Sequence, residues 1–239
     1  MIIFDIETGP DEPSKLARFL PDFDQKSVKL GNLKDPAKIA EKIESARKKH
    51  ASDRDDLIER AALSAHTGQV LAIGFRVCDG EGHIDVIACR PRDGGYADQE
   101  VGPQTEREML IGFWDFVRDC RQRGNPIVGW NICGFDLPFL IQRSWLWGVE
   151  VPENLLKNGR YWDEIFVDLM QRWACGKYGS FFSLDSVAKF FGQTGKIGDG
   201  AEFSRLFNGT PAEFSQAINY LRCDLELTHY VARQMGWPR

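Results

Sequence analysis

The sequence predicts an α/β fold: a mixed β-sheet flanked by α-helices, with a helical insertion after the first strand. Three observations carry this prediction. From residue 105 onward, short apolar runs alternate with helical periodicities, the pattern of strand–helix units. Before them, Val70 to Val77 and His83 to Cys89 are rich in β-branched residues and flank the turn Asp79-Gly80-Glu81-Gly82. They therefore form an antiparallel hairpin, which makes the sheet mixed. Residues 11–66, between the first strand and the hairpin, are polar and charge-dense, unlike their flanks. One domain over residues 1–239 with 11–66 inserted fits this order better than two domains.

The elements follow from local signals. Met1 to Ile6 is an apolar run ending in acidic residues, as a buried strand would be. Asp35-Pro36 starts a helix, with Asp as N-cap and Pro at the first helical position, and Ile39, Ile43 and Ala46 follow at helical spacing. Asp53 begins a second helical stretch with Leu57, Ala61 and Ala65 on one face. After a Gly/Pro/Asp loop from Arg90 to Pro103, a helix runs from Thr105 to Arg123 and is broken by Gly124-Asn125-Pro126. Ile127 to Trp130 is a buried strand, Leu137 to Leu146 a helix, Ile165 to Leu169 a strand and Leu184 to Phe191 a helix. The glycine-rich Gly192 to Gly200 is a loop, and Thr210-Pro211 opens a last helix reaching about Gln234.

Composition narrows the class. With 239 residues and 43% hydrophobic content, the chain can bury a sizeable core. No apolar run approaches the ~20 residues of a membrane span, and Met1-Ile2-Ile3-Phe4-Asp5 lacks a secretory start. A cytoplasmic location with no membrane partner is the expectation. The closest two of six cysteines, Cys78 and Cys89, are 11 positions apart, so no thiolate zinc motif exists and the thiols are expected reduced and mostly buried. The four histidines have no paired spacing, so any metal must be held by oxygen. The formal net charge of −5 argues at first sight against nucleic acid.

Three separated clusters carry the candidate chemistry. In Phe4-Asp5-Ile6-Glu7-Thr8-Gly9, Asp5 and Glu7 emerge on one face of a strand, where their repulsion calls for a cation. Asn131-Ile132-Cys133-Gly134-Phe135-Asp136 follows directly on a strand end, the usual place of an α/β site. There Asp136 is either a functional carboxylate or the N-cap of the next helix. In Tyr220-Leu221-Arg222-Cys223-Asp224, i and i+4 on a helix put a hydroxyl and a carboxylate on one face.

Asp-x-Glu, Asn-x-x-x-Phe-Asp and Tyr-x-x-x-Asp in this order resemble the DEDD 3′–5′ exonuclease superfamily, in its tyrosine (DEDDy) branch. The histidine branch would place His where Asn219 stands. Ala62 to Val70, Asp168-Leu169, Ser183 to Ala188 and Lys196 to Gly200 are similar to predicted exonucleases related to the exonuclease domain of family-B DNA polymerases. The resemblance covers nearly the whole chain apart from Pro10 to Arg60.

The resemblance implies a ribonuclease H-like fold with a five-stranded mixed sheet. It also implies two divalent ions, Mg²⁺ or Mn²⁺, held by Asp5, Glu7, Asp136 and Asp224. Asp5 would bridge both ions, Glu7 and Asp224 would complete the first site, and Asp136 would serve the second. Tyr220 would orient the attacking water, its ordinary pKa of ~10 making it a poor base. The implied reaction is hydrolysis from the 3′ end of single-stranded DNA, releasing nucleoside 5′-monophosphates. The alternatives are an exoribonuclease of the same chemistry and a non-catalytic nucleic-acid-binding module. Substrate contacts are expected from Thr8 and Gly9 at the terminal nucleotide and from Lys196 at a phosphate, with a solvated loop lysine as the other reading. Phe135 either stacks on a base or belongs to the core, and Asn131 either binds substrate or holds a turn. The resemblance also implies a replication or repair partner, whose identity the sequence does not give.

The charge balance then takes another meaning. Four acidic residues are assigned to metal, and between Lys26 and Lys49 eight basic residues face three acidic ones. That stretch is either a solvated helix face or a surface that tracks a nucleic-acid backbone.

Overall fold

In the computed structural model, the strand Ile2–Pro10 (β1) lies inside a mixed sheet rather than at its edge. Its neighbours are Gly68–Val77 (β2) on one side and Ile127–Gly129 (β5) on the other. The structure describes residues 1–78, 82–89, 103–153, 155–157, 161–177, 179, 181–196, 198 and 200–237, with backbone alone for 103, 104, 156, 157, 161, 162 and 201. The expected hairpin turn at 79–81 and most of the 90–103 loop lie outside these residues.

His83–Cys89 (β3) pairs antiparallel with β2, and Phe166–Asp168 (β8) pairs parallel with β5, as β5 does with β1. These five strands are the mixed sheet expected from the sequence. A two-residue strand, Pro103–Gln104 (β4), extends the β3 edge to give the order β4-β3-β2-β1-β5-β8. Leu156–Lys157 (β6) and Tyr161–Trp162 (β7) form a separate small ribbon.

Strand alternation divides the core. Phe4 packs its ring 5.4 Å from Phe113 of the helix Glu106–Arg123 (α3). Behind α3 lies the helix Asp136–Trp147 (α4), joined to it where the Trp114 indole donates to Ser144 Oγ at 2.7 Å. Ile3, one residue earlier on β1, belongs to the opposite core with Phe203 and Phe207 of Phe203–Phe207 (α7). Ala217, Ile218, Leu221 and Leu225 of Pro211–Gln234 (α8) complete that core at helical spacing. Because residues i and i+2 share a face, Asp5 and Glu7 fall on the α8 side with Ile3. The helix Leu184–Phe190 (α6) packs against α8 through Val187, Ala188 and Val231.

The helix ends obey their sequence signals. Thr105 and Thr210 each form a capping box, with Glu108 and Glu213 respectively. Gly124 closes α3 at φ +68°, a conformation open to glycine without steric cost. At the buried centre, Glu106 accepts from Val70 N, from Arg143 Nε and Nη2 at 2.7 and 2.6 Å, and from the Trp147 indole. This bidentate pair ties β2, α3 and α4 together.

The chain divides into two compact units, residues 1–8 with 70–239 and Gly9–Gln69. The second holds a short helix Pro13–Leu16 (α1) and a long one, Pro36–Arg60 (α2), with Asp35 capping through Ala37 N at 2.9 Å. The expected break at Asp53 is absent: α2 is one helix of 25 residues. No Gly or Pro interrupts it there, and Asp53 pairs with Lys49 one turn back at 3.1 Å instead of capping. No residue of α2 is buried. Within its basic stretch, Arg47 lies 5.3 Å over the Phe23 ring.

Three further expectations need correction. The strand predicted over Ile165 to Leu169 ends at Asp168, because that carboxylate caps the helix Leu169–Trp173 (α5). Asp136 is the first residue of α4 and not its N-cap, a position Phe135 takes. All six thiols are free, but only Cys120 and Cys133 are buried, and Cys175 is exposed in the turn after α5. Among the described residues, no helix is long and apolar enough to cross a membrane.

Close strand packing makes Gly129 a sensitive position. A Cβ there would run into Ile132 and come within 2.8 Å of the Phe4 carbonyl oxygen. Gly129→Ala should cost about 1–3 kcal/mol in chemical denaturation. Gly112→Ala, in α3 with open space around it, should instead stabilise by up to about 1 kcal/mol.

Candidate functional site

Strand β1 and helix α8 bring three carboxylates together. Asp5, Glu7 and Asp224 each offer an oxygen, and the three oxygens lie within 4.8 Å of one another. Asp224 sits three residues after Leu221 and one before Leu225, at the border of the buried stripe of α8, and is 1% exposed. Gly74 of β2 allows this approach, since a Cβ there would stand 2.7 Å from Leu225 Cδ1 and 3.0 Å from Leu221 Cγ.

Asp136 joins from the first turn of α4. Its Oδ1 accepts from Ile6 N at 3.2 Å, and its carboxyl shares a hydrogen bond with Asp5. The turn that presents it is held by Asp168. One Asp168 oxygen accepts from Asn131 N, Met170 N and Gln171 N at 3.2, 2.9 and 3.2 Å, and the other from Cys133 N at 3.0 Å. Asn131 adopts φ +61°, which Asn tolerates better than most residues. Its carbonyl accepts from Gly134 and Phe135, and its side-chain oxygen lies where a Cβ on Gly134 would be. Asn131 thus shapes the turn.

Lys196 is the least expected member. Neither a phosphate contact nor a solvated loop position anticipates where its ammonium lies. It donates to Asp224 Oδ2 at 2.5 Å and to the Tyr220 hydroxyl at 3.5 Å. Its backbone N–H donates to Asp185 Oδ1 at 2.9 Å, which pins the loop after α6. Tyr220 is half-buried on the same face of α8, next to Gly198 and Gly200 of that loop. Phe135 is half-buried against Phe139, with ring centroids 5.6 Å apart. Thr8 and Gly9 continue β1, Thr8 half-buried and Gly9 buried.

Burial and repulsion shape the electrostatics. Burial pushes the Asp5 carboxyl up to about 7, with Lys196 opposing and Asp224 adding to the rise. Glu7 and Asp136 stand well above the usual carboxylate range through burial and then the charge of Asp5. Asp224 is also raised by burial, against the pull of Lys196. Burial lowers the affinity of Lys196 for its proton, but Asp224 and Asp5 more than offset it, so the ammonium stays charged. Burial and then Asp224 raise the Tyr220 hydroxyl, so it is a hydrogen-bond donor at neutral pH and not a base. The nearby Cys133 thiol is raised by burial and remains inert.

The donor set suits a hard divalent cation: oxygen only, anionic and gathered in one place. Asp5, Glu7 and Asp224 form one ligand group, with Asp136 beside Asp5. The supporting roles of Asp168 and Asp185 are legible only in part from sequence. Asp before a helix signals an N-cap, and both lie in segments that carried the resemblance, but neither signal names the loop each one holds.

Residues 62–235 match the family described as predicted 3′-5′ exonuclease related to the exonuclease domain of PolB. A stretch of 47 residues is 47% identical to the DNA polymerase delta catalytic subunit of Arabidopsis thaliana, covering 20% of this chain and 4% of that protein. The corresponding subunit of Glycine max is 49% identical over 41 residues, or 17% of this chain and 4% of that protein. The structure of the family B DNA polymerase from the hyperthermophilic archaeon Pyrobaculum calidifontis superposes with a TM-score of 0.57 at 20% identity, covering 98% of this chain and 24% of that one. The fold is therefore the ribonuclease H-like α/β arrangement, and the chain spans a small part of the length of these polymerases. A family match over most of its residues shows that the chain belongs to the predicted 3′–5′ exonucleases related to the exonuclease domain of family-B DNA polymerases.

Proposed function

We propose that the chain is a two-metal-dependent 3′–5′ exonuclease acting on single-stranded DNA and releasing nucleoside 5′-monophosphates. The observation that carries this reading is the convergence of Asp5, Glu7, Asp136 and Asp224 with Tyr220 beside them, in a chain of this family. A binding module that had abandoned catalysis would have no use for four carboxylates buried beside one another, each raised first of all by that burial.

In this reading, Asp5, Glu7, Asp224 and Asp136 hold Mg²⁺ or Mn²⁺. When bound, the ions supply an activated nucleophile and stabilise the charge of an in-line phosphoryl displacement. The protein supplies the rest. β1 and α8 hold their carboxylates on packed elements, so the ligands are oriented before substrate arrives. The protonated Tyr220 hydroxyl aligns the attacking water by a hydrogen bond. Thr8 and Gly9 line the end of β1 for the terminal nucleotide, Phe135 offers a ring edge to its base, and Lys196 places a cation at the mouth of the cluster. Asn131 contributes by shaping the turn that presents Phe135 and Asp136.

Strands of DNA and RNA labelled at the 5′ end, incubated with Mg²⁺, Mn²⁺ or EDTA, test the proposal. DNA should shorten stepwise from its 3′ end with metal, and EDTA should abolish this. Asp5→Asn should lower the rate by about a hundredfold or more, the loss of several kcal/mol of charge stabilisation. Shortening of RNA alone would replace the DNA reading, and no cleavage with any metal would overturn the enzymatic one. Tyr220→Phe should lower kcat about tenfold, the worth of one hydrogen bond, with KM unchanged. Saturating Mn²⁺ should raise the thermal unfolding midpoint, a ligand at a hundred times its Kd contributing about 2.7 kcal/mol. Asp5→Asn should abolish the rise.

A further inference from the structure

The metal reading above assigns Asp224 to a cation, yet Asp224 already has one. Its Oδ2 lies 2.5 Å from Lys196 Nζ, while Asp224 also belongs to the oxygen group with Asp5 and Glu7. A divalent ion on that group and an ammonium at the same carboxylate would be like charges at close range, in a site where screening is weak. They cannot share Asp224 at full strength.

The surroundings permit exchange. The Lys196 main chain is fixed by Asp185, but its side chain is 30% exposed and lines an open cavity. That cavity, of about 490 Å³, is lined by Gln193, Asn219 and Arg222 among others, so four methylenes can swing the ammonium away without moving the loop. Gly195, at φ +93°, precedes the lysine, and its conformation is one that L side chains rarely adopt.

We propose that Lys196 is a positioning residue for the metal site: its ammonium is an internal counter-ion of Asp224 that a divalent cation displaces, so the lysine sets the affinity of the site for metal. The inference rests on the metal-dependent reading. It gives Asp224 a cation with and without metal, the one replacing the other.

Calorimetric titration of Mn²⁺ into wild type, Lys196→Met and Asp5→Asn tests it at a single pH and low salt. Lys196→Met should bind Mn²⁺ at least tenfold more tightly than wild type, a difference of about 1.4 kcal/mol. Its unfolding temperature should be lower than that of wild type without Mn²⁺ and should approach it at saturation. Asp5→Asn should lose binding. Equal or weaker binding by Lys196→Met overturns the inference alone, whereas no binding by wild type overturns the metal reading and this inference with it. A measurement on wild type guards against failure of the variant to fold. Acylation of Lys196 by an amine-reactive ester, read by mass spectrometry against the exposed Lys48, should rise severalfold when Mn²⁺ is added. An unchanged or lower yield overturns the displacement.

Discussion

Crowded negative charge is the constraint on which the rest of this structure depends. Asp5, Glu7 and Asp224 gather their oxygens within 4.8 Å of one another, and Asp136 leans on Asp5. Burial removes the water that would otherwise screen them, so each is raised toward its protonated form. Such a group persists where rigid elements hold it and a proton or a cation relieves its charge. The structure supplies both, the first through β1, α4 and α8 and the second through Lys196.

The rigidity comes from ordinary packing used with little tolerance. β1 sits inside the sheet, with Phe4 against α3 and Ile3 against the α7–α8 core, so its alternation delivers Asp5 and Glu7 to one side. Gly74 lets α8 settle close to β2, and Gly129 lets the chain turn beside β1 toward Asn131. Asp168 then holds the backbone that leads to Asp136 by accepting from Asn131 N and Cys133 N, while it caps its own helix through Met170 N and Gln171 N. A second group of elements is tied by the buried pair of Glu106 and Arg143, which joins β2 to α3 and α4. A buried carboxylate can thus be structural, as Asp168 and Glu106 are, or belong to the site, according to whether N–H donors or other carboxylates surround it.

Much of this was legible in the chain itself. Thr105, Thr210 and Asp35-Pro36 mark true helix starts because a cap is a local event: a side chain meets N–H groups two or three residues away. The continuity of α2 past Asp53 was not legible, since an Asp that pairs with the preceding turn and an Asp that caps a new helix have the same sequence. The exposure of Cys175 and the capping by Asp168 likewise depend on where the chain turns. Lys196 is the clearest case. A loop lysine among glycines looks solvated until a helix beginning at Pro211 carries Asp224 to its ammonium.

By itself the sequence determined the α/β class, the order of the five main strands and of the helices α3, α4, α6 and α8, and the carboxylate and tyrosine motifs, because these rest on periodicity, capping and short spacings. The resemblance implied that Asp5, Glu7, Asp136 and Asp224 would meet; only the tertiary structure decided that Asp168 and Asp185 hold the loops beside them and that Lys196 pairs with Asp224. The physical reason is range. Backbone preferences act over a few residues, whereas repulsion and its compensation act through space between groups up to 219 positions apart, from Asp5 to Asp224.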